Sequence, residues 1–399
     1  MASLLLTALA AFAQAPPPPP DDPLQLGKQA ETLVSVGKYT EAEPLLARAL
    51  ELQEKATGPE DPSLNAPLDA LANLYRSQGR NIEALKLYTR SLAIREKTYG
   101  PNSPELIPDV RSLARVNGAL KQTGPAELAY LRVISLREKA RGPDDPDLAN
   151  DCVELAMFYV VRSRYAVAEP NLMRAMRILE KANGLSSPAL LPVIDALVTV
   201  YMKQQKEHQA EQPLRRAIAI EEGIYGPTDV NVATYLDRLA LALYQQEKFA
   251  EAEPLYERSL SIWESGLDAD SPELANSLEA LAVVYARQDK FEKAEPLYRR
   301  ALAIHEKITV DSLNNLGLTL EGKGDNAAAE VVYRQAIPEA EHIPVLPGRT
   351  NVKETEVLGD TLRNYAILLR KLKRDAEAAK LEARRRVLLK LDGAGSGSK

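Results

Sequence analysis

The sequence predicts an all-α fold, a solenoid of about nine helix-turn-helix units over residues 24–391. Three observations predict it. FAEAEPLYERSLSIWE at 249–264 and FEKAEPLYRRALAIHE at 291–306 are nearly the same sixteen residues, 42 positions apart. The chain is 45% hydrophobic but only 5% aromatic, mostly tyrosine, and is rich in Ala and Leu, the residues with the best helix propensities. Strand formers never cluster in alternating runs, so no sheet is expected.

Taken in chain order, the first element differs in kind from the rest. MASLLLTALAAFA, residues 1–13, is an apolar run closing on Ala11-Phe12-Ala13, the small-x-small arrangement of a secretory signal peptide. No Lys or Arg precedes it, and it is too short to span a bilayer. The expectation is export, periplasmic or secreted, with Gln14 as the first mature residue; the alternative is a cytoplasmic protein with an uncleaved leader. Residues 14–23 are Pro-rich and read as a stiff extended spacer.

The period follows. Ala42, Ala84, Ala126, Ala168, Ala210, Ala252 and Ala294 stand 42 apart, as do Glu54, Glu96, Glu138, Glu180, Glu222, Glu264 and Glu306. Gly58, Gly100, Gly142, Gly184 and Gly226 keep the same step, and so do Ala30, Ala72, Ala114, Ala156, Val198, Ala240 and Ala282. The step then shortens to 35, to Ala329, and lengthens to 49, to Ala378.

Each period reads as two helices. In Ser63–Lys97 the first carries Leu68, Leu71, Ala72 and Tyr75 on one face, and the second Ala84, Leu87, Tyr88, Ser91, Leu92 and Ile94, both at helical spacing. Gly79 between them suits a left-handed helix end. Asp61-Pro62, Ser103-Pro104, Asp145-Pro146, Ser187-Pro188 and Ser271-Pro272 read as a cap followed by a proline at the first position. Pro254 and Pro296 lie about one turn into the second helix and are expected to mark its start, where a missing N–H costs little. The alanines are expected at close helix crossings, which larger side chains would overpack. One helix pair cannot bury its own apolar face, so pairs must stack. Residues 338–355 read as a tolerated insertion, a docking loop being the alternative, and 392–399 as a flexible tail.

Leu71-Ala72-x-x-Tyr75, Ala84-x-x-x-Tyr88 and Ser91 resemble the tetratricopeptide repeat (TPR). The longer pattern AEPLYxRALxIxExxxGPxxP, as in residues 252–272 and 42–62, is similar to the repeats of kinesin light chain and its bacterial relatives. The resemblance implies a right-handed superhelix whose inner wall, built from the first helices, binds peptide segments of other proteins. Carried onto this chain, it makes a candidate groove of Asn73, Arg76, Arg111, Arg115, Asn150, Met157, Thr199, Arg238, Leu241, Asn276 and Asn315. Arg76, Arg111 and Arg115 would repel one another, so the groove is expected to accept acidic segments beside an apolar anchor. Where TPR carboxylate clamps carry Lys, this chain has Asp69, Asp195, Asp237 and Glu279, which would repel a carboxylate. Kinesin light chain's repeated Asn-Asn-Leu-Ala appears only as Asn314-Asn315-Leu316-Gly317 and, in part, Asn364-Tyr365-Ala366.

The remaining composition narrows the function classes. Net charge is −6 with no long run of either sign, which argues against the basic stripe of a nucleic-acid binder. Cys152 is the single cysteine, and His208, His305 and His342 lie far apart, without zinc-ligand spacing. No GxSxG, Walker loop or GxGxxG appears, so no catalytic, metal or cofactor residue is nominated. The expected function is a non-catalytic protein-protein scaffold. The alternative is an accessory domain that recognises substrate in trans for a hydrolytic enzyme.

Overall fold

The alanines that mark the period are the points where the helices meet. Ala42, Ala84, Ala126, Ala168, Ala210, Ala252, Ala294, Ala329 and Ala378 are all fully buried. A computed structural model describes residues 22–304, 310–341 and 352–395. The expected leader and residues 396–399 lie outside the described residues, as does most of the 338–355 insertion.

The described residues form nine helix pairs and no strand. The pairs are α1 (Pro23–Ser35) with α2 (Tyr39–Thr57), α3 (Asn65–Ser77) with α4 (Asn81–Tyr99), and α5 (Ile107–Ala119) with α6 (Thr123–Arg141). Next come α7 (Pro146–Val160) with α8 (Tyr165–Asn183), α9 (Leu191–Lys203) with α10 (Glu207–Tyr225), and α11 (Val230–Gln245) with α12 (Phe249–Gly266). The last are α13 (Pro272–Ala286) with α14 (Phe291–Ile304), α15 (Val310–Gly322) with α16 (Asn326–Glu341), and α17 (Val352–Lys371) with α18 (Asp375–Gly395). The final helix runs into the segment expected to be tail. The chain divides into two compact bodies, through Ala182 and from Asn183. In the first, each helix from α1 to α6 packs on the next; in the second, each from α9 to α17 does. The core of the first pair is shared with its neighbour: Ala30, Ala42 and Leu46 pack with Leu64, Leu68, Leu71 and Ile94.

The turns inside the pairs follow one rule that composition hides. Each places one residue in the left-handed region: Gly37, Gly79, Lys121, Ser163, Gln205, Glu247, Asp289, Gly324 and Lys373. Six of these nine carry a side chain, so closure of the pair overrides the steric preference against that conformation. Between pairs, the side chains of Asp61, Asp145, Ser187 and Ser271 accept backbone N–H bonds as expected caps. Ser103 does not; its hydroxyl turns to Glu105 instead. After Asp61, Ser103 and Ser187 a single 3-10 turn precedes the α-helix.

The prolines need a corrected account. Pro254 and Pro296 are the sixth residues of α12 and α14, and Pro44 and Pro170 hold the same place in α2 and α8. That lies beyond the N–H groups that lack a helical acceptor, so each proline leaves a carbonyl four residues earlier unbonded. The helix continues because those prolines, and the residues four before them (Thr40, Ala166, Ala250 and Glu292), are exposed, so water takes the place of the lost donor.

Two ladders of cations tie neighbouring pairs at several steps within each body. In the first, Arg90 and Arg132 each bind a glutamate of the preceding second helix (Glu54, Glu96) and a carbonyl of the loop after it (Pro59, Pro101). Arg174 binds Glu138, Arg216 the Leu185 carbonyl, Arg258 both Glu222 and the Pro227 carbonyl, and Arg300 Glu264. In the second ladder the glutamate of the AEP stretch accepts from a cation at the entry of the following second helix. Examples are Arg80 to Glu43 at 2.8 Å, Lys248 to Glu211 at 2.8 Å, Lys290 to Glu253 at 2.5 Å and Arg374 to Glu330 at 2.6 Å. The AEP glutamate is therefore a tie between pairs. Both arginine and glutamate columns are visible in the sequence at the 42-residue step, and that is the signal by which the first ladder can be found.

Candidate functional site

The first helix of each pair is buried on one flank and open on the other. Ala66 and Asn73 are exposed in α3, Pro108 and Arg115 in α5, Asn150 and Met157 in α7. In the second body Pro192 and Thr199 are exposed in α9, Thr234 and Leu241 in α11, and Asn276 in α13. Between each such pair of positions at least two residues are half-buried, for example Asp69 and Ala70, or Arg111 and Ser112. The spacing of three, four and seven is one face of a helix, and it recurs every 42 residues. All eleven candidate groove residues stand on or beside this stripe, although Asn315 is half-buried and its carbonyl accepts from Thr319 at 2.8 Å. Asn314 beside it accepts from Asn364 at 3.0 Å.

The arginines expected to await a ligand carboxylate are already paired. Arg111 reaches buried Asp151 of α7 at 2.5 Å and lies 3.8 Å from Glu154, while Arg115 binds Glu154 itself. Forty and thirty-nine residues separate these partners, two or three short of the period, which sets the carboxylates opposite the guanidinium groups on the adjacent first helix. Mutual repulsion of Arg111 and Arg115 is thus offset inside the fold. Arg76 is exposed, beside the Tyr88 hydroxyl. That hydroxyl donates to Asn73 at 2.6 Å.

In the second body Arg238 of α11 binds Asp195 of α9, Tyr235 donates its hydroxyl to the same carboxylate at 3.2 Å, and Thr199 bonds the Asp195 carbonyl at 2.8 Å. Met157 and Leu241 are each 41% exposed, which is high for side chains of their size. The structure thus brings together Arg111 with Arg115, and Thr199 with Arg238. Asn73 and Arg76 meet at the Tyr88 hydroxyl, and the others stand singly along the stripe.

Beneath the stripe, the second helices send polar groups upward. Arg95 of α4 binds Asp69 at 2.8 Å and also buried Asp109. Burial pushes the Asp109 carboxyl up, with Arg95 opposing it. Arg137 of α6 binds Asp151 and lies 3.1 Å from Asp147 and 3.8 Å from Asp145. Trp263 of α12 donates to Asp237 at 2.9 Å, and burial pushes that carboxyl up as well. Arg95, Arg137 and Trp263 were not legible as site residues, since each is one half-buried position among many on its second helix.

Among the described residues no group of three or more His, Cys, Asp or Glu is arranged to hold a metal ion, and no helix is long and apolar enough to cross a membrane. Cys152 is buried, and burial pushes its thiol up to about 11; it is a packing residue rather than a nucleophile.

Patterns described as tetratricopeptide repeat match residues 30–63, 63–139, 192–265, 230–307 and 279–342, well over half of the chain. Among solved structures, a candidate kinesin light chain of Podosopora anserina with nearly identical TPR-like repeats shares 24% identity. It covers 51% of this chain and 96% of its own, with a TM-score of 0.44. BtubC (BKLC) from P. vanneervenii shares 20% identity over 57% of this chain and 90% of its own, with a TM-score of 0.45. The apo form of RapI shares the fold more fully, over 92% of this chain and 98% of its own, at 12% identity and a TM-score of 0.54. No curated protein matches the chain. Repeat spacing, helix pairs with alanines at every crossing and the matched patterns agree: the chain belongs to the tetratricopeptide repeat family.

Proposed function

We propose that the chain is a non-catalytic scaffold that holds segments of other proteins against the open stripe of its first helices. One observation carries the reading: the same face is left uncovered in pair after pair, at the 42-residue step, while the opposite flank is buried. The exposed methionine and leucine on that stripe, Met157 and Leu241, supply apolar anchor points, and Asn150 and Asn276 supply amide groups for a partner backbone. Attraction for acidic segments rests on Arg76 alone among the three arginines nominated for it, because Arg111 and Arg115 are neutralised by Asp151 and Glu154.

A photo-crosslinking residue placed in turn at Met157, Leu241 and, as outer-face controls, Leu128 and Lys86 tests the proposal. Partner peptides crosslinked from the stripe positions and not from the controls support it. Equal labelling from both faces overturns it.

A further inference from the structure

One position on the second helices does the same task in two pairs and the opposite in a third. Arg95 donates to Asp69, and Trp263 donates to Asp237, each across 26 residues of chain. Glu221 of α10 stands 26 residues after Asp195 and in the same 42-residue register, yet it has no proton donor to offer when ionised. The loop side repeats the mismatch. Arg137 lies 3.8 Å from the cap Asp145, eight residues on; eight residues after Glu221 the cap is Asp229, whose side chain accepts from the Asn231 N–H.

Glu221 is only 7% exposed, and its Oε2 finds no hydrogen-bond partner among the described residues. Burial, then the Asp229 and Asp195 carboxylates, push its carboxyl above the usual range. Its acidic neighbours therefore face it from both α9 and the start of α11. Arg238 and Tyr235 serve Asp195, and neither is bonded to Glu221. The side chain of Asp195 is 44% exposed, so the cluster has an opening on the stripe. A buried carboxylate without a donor is costly, and here the missing component is one cation.

We propose that Glu221 and Asp195 form a receptor for a guanidinium or ammonium side chain of a bound protein segment, replacing the cation that Arg95 supplies internally to Asp69 three periods earlier. The inference rests on the scaffold reading and adds the chemistry of one subsite. An incoming guanidinium meets Asp195 first and reaches Glu221 behind it, and its planar donor fork suits two carboxylates.

The test is fluorescence anisotropy of the full chain with a labelled, end-blocked peptide alternating arginine and alanine, and with its glutamate counterpart. Wild type is expected to prefer the arginine peptide. Glu221→Gln is expected to weaken it about tenfold, the scale of one charge-assisted hydrogen bond. Glu221→Arg, which restores the residue type of the third pair, is expected to abolish the preference. Glu251→Gln removes the same charge from an exposed place on α12 and is expected to change nothing. Circular dichroism checks that each variant is folded; if the arginine variant is not, the two glutamine variants decide. Unchanged affinity in Glu221→Gln, or equal losses in Glu221→Gln and Glu251→Gln, overturns the inference. If arginine-peptide binding is unmoved by Glu221→Gln but lost in Leu241→Arg, the subsite fails and the scaffold reading stands. If neither peptide binds, the inference is overturned, and crosslinking from the stripe then decides the scaffold reading separately.

Discussion

Replacing Ala252 by Leu puts the packing logic at risk in one substitution. Ala252 is fully buried on α12, a helix that packs on both α11 and α13. Leucine adds three carbons. With free space for them, burial would stabilise by about 2 kcal/mol at roughly 0.8 per carbon. At a crossing with no exposed surface the added atoms must instead displace neighbouring side chains or helices, and the net cost is about 1–3 kcal/mol. The matched control is Ala250→Leu, the same change two residues earlier on the exposed face; it should stay within about 0.5 kcal/mol. Glu257, although exposed, is unsuitable as a control because it accepts from Tyr285 at 2.5 Å. Urea unfolding followed by circular dichroism measures the difference. Hydrogen exchange over α11–α13 measures it locally, which matters because long repeat arrays lose two-state behaviour. Equal stability of the two variants would refute the assignment of Ala252 to a close crossing.

Arg258→Met keeps the aliphatic stem but removes the bonds to Glu222 and the Pro227 carbonyl; a loss of about 1–2 kcal/mol is expected, and a double-mutant cycle with Glu222→Gln should show coupling. No coupling would mean that the ladder is decorative. Hydrogen bonds from Lys323 and Arg374 hold the Glu295 and Glu330 carboxyls below their usual range. A depressed carboxylate contributes stability that is present above its unfolded-state pKa and lost as pH falls through the folded one. Glu295→Gln should therefore lower Tm at neutral pH, and the gap from wild type should close on acidification; a gap independent of pH would refute this. Gly317→Ala should destabilise, because a Cβ there would stand 2.6 Å from the Tyr333 ring and overpacking outweighs the roughly 1 kcal/mol gain in helix propensity. Expressed in a host with a Sec pathway, the mature protein is expected to begin at Gln14, as N-terminal sequencing would show; intact Met1 on protein recovered from the cytoplasm, with none exported, refutes export.

What the sequence alone determined is what repeats. Helix type, pair count and the crossings at the alanine columns follow from apolar spacing plus one constraint, that a helix pair cannot bury its own face and must stack. The stripe of candidate groove residues was legible for the same reason, since positions 42 apart share an environment. The tertiary structure decided what depends on distances between helices. Arg111 and Arg115 read as free charges in a linear chain, but Asp151 and Glu154 stand opposite them only once α5 and α7 lie side by side. Six of the nine left-handed turn residues carry side chains, because closing the pair, rather than local preference, sets their conformation. Pro254 was legible as a residue near a helix start, yet its tolerance depends on whether the Ala250 carbonyl faces water, and solvent exposure belongs to the packed assembly. Glu221 shows the division most sharply: its letter is one acidic residue among many, and only burial beside Asp195 and Asp229 turns it into a site short of a cation.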